Sequence, residues 1–317
     1  MHGLQSILVG VNLHHGDRIA SDTLGPDAQA ALLQAKELAR TTGAKLTLCA
    51  VLEISEQAFH LLEIDRAHAT KTVEDEARQA LERLAGELTL AGSLVTTVIR
   101  FGEAWEQLIL EAQSGPHELV LVGTNARTEA ARMLFGSTSR KLARLCPVPV
   151  WIAKSGEIRD VREIAVATDF SETAFAATQA AVGVAQNLQA KLFVVHALEF
   201  PFESYMRTAG VSAEEIQAAR QKLTGEARER LQQELMRTDA RALPHGFKME
   251  VVEGNPDHAI PEFVANNEVD LLVIGTVGRS GLSGLLLGNT AERILSHLHA
   301  SLLVIKPAGF VSPVKPA

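Results

Sequence analysis

Residues 275–290 read Gly275-Thr276-Val277-Gly278-Arg279-Ser280-Gly281-Leu282-Ser283-Gly284-Leu285-Leu286-Leu287-Gly288-Asn289-Thr290, five glycines in 16 residues. Glycine at this density lets main-chain N–H groups turn inward and approach a ligand closely. The apolar run Leu271-Leu272-Val273-Ile274 ahead of it has strand length, and residues 289–298 have helical spacing. Gly288-Asn289-Thr290 then offers the free N–H groups and positive end of a helix. Strand, glycine loop and helix start together suit an anion of phosphate size. The pattern is not a P-loop, because no Gly-Lys-Ser/Thr follows, and the spacing is wrong for the dinucleotide fingerprint.

Other reactive side chains read as structural. His14-His15-Gly16-Asp17 looks like a metal fragment, but adjacent loop histidines point apart and no matched ligand pair is spaced for a metal. Cys146 reads as a buried thiol, and His196, ending a strand, as a hydrogen-bonded core residue. No Ser-His-Asp order, paired-carboxylate motif or phosphoryl-transfer lysine is evident, so no catalytic residue is assigned. The charged stretch 212–239, with Glu214, Glu215, Arg220, Glu226, Arg230 and Glu234, reads as a solvated helix face. Phe200-Pro201-Phe202-Glu203-Ser204-Tyr205-Met206 ahead of it is expected to pack under that helix; a mobile lid is the alternative.

The elements that must hold the cradle repeat along the chain. Of 317 residues, 46% are hydrophobic and 21% charged, ordinary for a globular protein of about two domains. The net charge of −8 divides evenly between the halves and opposes nucleic acid as a partner. No apolar run approaches the ~18 residues of a membrane span. Two cysteines exclude a disulfide framework; with no leader visible at the N-terminus, the expected location is cytoplasmic.

Ile7-Leu8-Val9-Gly10-Val11-Asn12 recurs as Ile164-Ala165-Val166-Ala167-Thr168-Asp169, and Ala44-Lys45-Leu46 as Ala190-Lys191-Leu192. Leu121-Val122-Gly123-Thr124 recurs as Val273-Ile274-Gly275-Thr276, Gly136 as Gly288 and Lys154 as Lys306, all three at a shift of 152. Each half alternates strands with helices and ends on a strand. That predicts α/β architecture: two doubly wound, five-stranded parallel-sheet domains, residues 1–154 and 161–307, as a pseudo-two-fold tandem repeat. The strands lack polar alternation because helices cover both faces. Ligands of such sheets bind beyond the strand C-termini. Ser212 and Glu215 predict a capping box for the long helix, Pro256 opens another, and Pro261 is expected to kink it.

The glycine segment resembles the nucleotide motif of the universal stress protein family: Gly, two residues, Gly, nine residues, Gly, then Ser or Thr. Gly275, Gly278 and Gly288 fill the glycine places; Asn289 stands where Ser or Thr is usual, and Thr290 follows. An Asn amide still donates and caps. Val166-Ala167-Thr168-Asp169-Phe170-Ser171-Glu172 resembles the family's first-strand signature. The repeat extends the resemblance over nearly the whole chain, in the tandem form. It implies a Rossmann-like, adenine nucleotide alpha hydrolase-like fold and ATP, with or without Mg²⁺, in the second half. Ala167, Thr168 and Asp169 would face the base and ribose, and Ala197 the adenine edge. Gly275, Thr276, Gly278, Arg279, Gly288, Asn289 and Thr290 would hold the phosphates.

The implied role is a stress-response sensor or regulator, at most a slow ATPase. It would act with a protein partner that the sequence does not name, and a homodimer is compatible with it. In the family, fifth strands of two domains pair. The first half departs from the motif: Ala126 replaces the second glycine, residues 127–135 contain none, and Asn12 replaces Asp169, though Gly136-Ser137-Thr138 remains. An alternative is a nucleotide-free scaffold or small-metabolite carrier.

Overall fold

The computed structural model describes residues 3–14, 21, 23–53, 66–124, 135–154, 160–276 and 288–315. Two compact units are present, Gly3–Asp160 with Gly309–Ala317, and Val161–Ala308.

The first unit runs β1 (Ser6–Val11), α1 (Pro26–Thr42), β2 (Lys45–Leu52), α2 (Arg66–Leu90), β3 (Val95–Phe101), α3 (Ala104–Ser114), β4 (Leu119–Gly123), α4 (Ser137–Leu145) and β5 (Val150–Ala153). Its strands lie in the order β3-β2-β1-β4-β5, all parallel. The second unit runs β6 (Glu163–Ala167), α5 (Glu172–Leu188), β7 (Lys191–Leu198), α6 (Glu203–Thr208), α7 (Ala213–Met236), β8 (Phe247–Glu253), α8 (Pro256–Asn266), β9 (Leu271–Gly275), α9 (Asn289–His297) and β10 (Ser301–Ile305). Its order, β8-β7-β6-β9-β10, is the same and again parallel.

The sequence pattern explains these elements. Ile7, Leu8, Val9, Leu271, Leu272 and Val273 are fully buried, as runs covered on both faces must be. The outer strands β3 and β8 are only half-buried, with one identical pattern. Helix α1 opens on Pro26 and stops at Gly43, whose φ of 75° is adopted most cheaply by a residue without a Cβ. Ser212 and Glu215 close the capping box on α7. Pro261 leaves α8 undivided, so the expected kink does not break that helix.

Two local expectations need correcting. Of the stretch 200–206, Phe200 and Glu203 meet Arg220 of α7, whereas Phe202 and Tyr205 do not pack under that helix: they flank and sit on the short α6, 67% and 75% exposed. Glu234 is not on a solvated face but 6% exposed. The tail after β10 joins the first unit, where Ser312 is buried and the Val314 carbonyl accepts from Gln113 Nε2 at 3.2 Å.

Candidate functional site

The strand order reverses direction between β6 and β9, and in open parallel sheets that point leaves a crevice beyond the strand C-termini. Ala167, last in β6, lies in register with Val195 of β7 and Ile274 of β9. This brings together the exits carrying Ala167-Thr168-Asp169, Ala197 and Gly275-Thr276.

At the β9 exit, the Thr276 N–H donates to the Ile305 carbonyl at 3.0 Å, extending the ladder by one bond. The Thr276 carbonyl accepts from the Gly288 N–H at 2.6 Å, which pins the start of α9 against the strand end. A Cβ on Gly288 would lie 3.2 Å from that carbonyl, so glycine permits this approach. Gly275 is equally tight: a Cβ there would sit 2.9 Å from Thr173 Cγ2.

Helices α5, α7 and α8 are capped by Ser171, Ser212 and Asn255; α9, with Gly288 at its N-cap, has no side-chain cap. The first-turn N–H groups of a helix have no intrahelical acceptor. Beside them is a second unmet group. Thr276 is 1% exposed, and its buried hydroxyl has no hydrogen-bond partner among the described residues. A buried polar atom left in this way costs about 1–3 kcal/mol. Asn289 and Thr290 are exposed at the mouth. Arg293, one turn further, donates to the buried Asp257 carboxylate at 2.8 Å and fixes α9 against α8. Gly278 and Arg279 lie outside the described residues.

The β6 exit is braced from below. Thr168 N–H donates to the Val195 carbonyl at 2.9 Å, and Thr168 Oγ1 donates to Glu234 Oε2 at 3.0 Å while accepting from the Phe170 N–H at 3.0 Å. Glu234 also accepts from Thr178 Oγ1 at 2.5 Å. Burial raises the Glu234 carboxyl above the ordinary range, against the two threonine hydrogen bonds and Arg237, which pull it down. His196 Nδ1 lies 2.8 Å from the Thr168 carbonyl, the structural role expected of it. Phe170 has φ of 65°, a costly region for an aromatic residue. Its ring lies between His196, 4.4 Å away, and the Arg230 guanidinium, 4.1 Å away. Asp169 Oδ1 accepts from the Ser171 N–H at 3.0 Å, turning the chain into α5.

Glu234, Thr178 and Thr173 were not legible as site residues from type and spacing alone. One signal was present for Glu234: it continues the buried stripe Ala227, Leu231, Leu235 of α7, where a carboxylate needs partners.

The first unit builds the same exit differently. Thr124 N–H donates to the Ala153 carbonyl at 3.0 Å, and Gly136 precedes α4 with no side-chain cap. Asn12 Oδ1 caps the His14 N–H at 3.0 Å, much as Asp169 caps Ser171. Thr124 Oγ1, however, donates to Asp27 Oδ1 at 2.9 Å. Ala126 and His15 lie outside the described residues. Cys49 and Cys146 are buried, and burial pushes the Cys49 thiol up to about 12, so it stays protonated. Among the described residues no group of three or more His, Cys, Asp or Glu is placed to hold a metal ion, and no helix is long and apolar enough to cross a membrane.

Each unit is thus an open, doubly wound parallel α/β domain with a helix start at its switch point, and the chain is a tandem of two. The family model of the universal stress protein family matches residues 19–154 and 161–306. The chain belongs to that family, whose role is in the stress response. It is 28% identical over 298 residues to universal stress protein E of Salmonella typhi, covering 91% of this chain and 93% of that protein. It is 30% identical over 148 residues to universal stress protein MJ0531 of Methanocaldococcus jannaschii, covering 46% of this chain and 82% of that one. In fold it is similar to the functionally unknown protein PA1789 of Pseudomonas aeruginosa PAO1, at a TM-score of 0.66 and 24% identity over 96% of this chain and 93% of that chain. A universal stress protein of Archaeoglobus fulgidus follows at a TM-score of 0.63 and 18% identity, covering 96% and 97%.

Proposed function

We propose that the second unit binds ATP or a related adenine nucleotide and that the chain acts as a nucleotide-dependent sensor or regulator in the stress response, working through a protein partner. The carrying observation is the buried, unpartnered Thr276 hydroxyl beside the uncapped start of α9. A phosphate oxygen accepts from both kinds of donor, and the positive end of α9 favours its charge. The donors fit the group: Thr276 Oγ1 and the N–H groups of Asn289 and Thr290 would hold phosphate, with Gly278 and Arg279 of the intervening loop. Ala167, Thr168, Asp169 and Ala197, on the other side of the switch point, would face the nucleoside. Mg²⁺ would enter with the triphosphate. Among the described residues of the exits none is placed to activate a water molecule, and on this reading any hydrolysis is slow and catalytic residues are not assigned.

Calorimetric titration of ATP and Mg²⁺ into the wild type and Thr276→Val tests this reading. Valine matches threonine in shape and removes the orphaned hydroxyl. The variant should melt no lower than the wild type yet bind about tenfold more weakly, the worth of one hydrogen bond to a charged group. Equal affinities, or no heat with the wild type, would refute it.

A further inference from the structure

We propose that Asp27 closes the first unit's anion seat, so that one chain offers one phosphate site and not two. The inference rests on reading the second unit's seat as an anion site. It starts from a difference between corresponding residues. Asp27 and Thr173 each stand second in the first helix of their unit, at the shift of 146 that also relates Ala44 to Ala190. Both meet the glycine that ends the fourth strand of the unit. A Cβ on Gly123 would lie 2.3 Å from the Asp27 carbonyl, and one on Gly275 3.2 Å from the Thr173 carbonyl.

From this shared place the side chains act differently. Asp27 sends a carboxylate across the strand end to take the Thr124 hydroxyl at 2.9 Å. Thr173 carries no charge, and the Thr276 hydroxyl is left without a partner. Thr124 and Thr276 are otherwise alike: each is 1% exposed, and each N–H donates at 3.0 Å to the last residue of the neighbouring fifth strand. The Asp27 carboxylate therefore does in the first unit what a phosphate oxygen would do in the second. It takes the hydroxyl and places a negative charge where an incoming anion would have to sit. Like charges at contact distance in a half-buried setting repel strongly.

The seat is therefore exchangeable by one residue in either direction. The test uses the full chain, with wild type, Thr173→Asp, Thr173→Asn and Asp27→Ser titrated calorimetrically with inorganic pyrophosphate and separately with ATP and Mg²⁺. Circular dichroism melts confirm that each variant is folded. Wild type should show one pyrophosphate site per chain. Thr173→Asp should weaken it about tenfold or more, while Thr173→Asn, alike in size and uncharged, stays within about threefold. Asp27→Ser should add a second pyrophosphate site. A Thr173→Asp protein that binds like wild type, a Thr173→Asn protein that loses as much as Thr173→Asp, or an Asp27→Ser protein with no added site would each overturn the proposal. Pyrophosphate results as expected but no ATP binding by the wild type would refute the nucleotide reading while leaving Asp27 in its role.

Discussion

The Thr168 hydroxyl donates to the Glu234 carboxylate at 3.0 Å and so ties the exit of β6 to the long helix α7. The bond joins a strand end at the proposed site to a helix that by charge pattern alone belongs to solvent. It also makes a buried carboxylate part of the support for Phe170, whose N–H rests on the same threonine oxygen.

Replacing Glu234 should show in the pH dependence of stability. Burial raises its carboxyl, so the folded chain holds the proton more readily than the unfolded one. The stabilising share is complete below the unfolded pKa and is lost as pH rises through the raised folded value. The melting temperature of the wild type should therefore fall relative to Glu234→Gln as pH rises from about 4.5 through the raised folded value. Glu234→Leu, which leaves the Thr168 hydroxyl without this acceptor, should cost about 2 kcal/mol in urea unfolding at neutral pH.

The glycines that end β4 and β9 should differ in tolerance. A methyl on Gly123 would meet main-chain atoms of Asp27 at 2.3 and 2.5 Å, which can yield only by moving the start of α1. On Gly275 the nearest atom is the Thr173 methyl at 2.9 Å, which can yield by rotation, with main chain at 3.1 Å. Gly123→Ala should cost about 3 kcal/mol and Gly275→Ala about 1 kcal/mol by urea midpoint.

Lys154, following β5, supplies a second pH signal of opposite sign. Burial lowers it to about 8 from 10.5. The folded chain gives up this proton before the unfolded chain does, so stability rises with pH across that window. Lys154→Met lacks this rise, and its melting temperature relative to wild type should drop progressively from about pH 8 to about pH 10.5.

The tail tests how the first unit is fastened. Removing residues 309–317 takes away Ser312 and the Val314 carbonyl that receives Gln113 Nε2. Hydrogen exchange in α3 should quicken by roughly tenfold, about the worth of one such bond with its packing, while exchange in α5 should stay unchanged.

Much of this structure was legible from the chain. Runs such as Leu271–Ile274 need no tertiary knowledge to read as buried parallel strands, and the duplication tied the two units together. The strand end at Gly275-Thr276 and the helix start at Gly288-Asn289 were legible for the same reason, since a glycine-rich stretch between strand and helix is a local signal. Glu234 was hidden because a long charged helix shows its solvated face most loudly; one carboxylate on its buried stripe is outvoted. Asp27 was hidden because its partner Thr124 is far along the chain and meets it only after β1 and β4 have paired. Phe202 and Tyr205 misled because aromatic residues usually pack, whereas here they stand in solvent beside α6.

The most direct test of nucleotide binding is an amide NMR titration of the full chain with ATP and Mg²⁺. Direct hydrogen bonds from the α9 start should move the amide signals of Asn289 and Thr290, along with that of Thr276, in a one-to-one titration. The amides of Ser137 and Thr138 at the matching start of α4, behind the Asp27 carboxylate, should stay in place. Unmoved signals at 289–290, or shifts of equal size at 137–138, would contradict a nucleotide seat confined to the second unit.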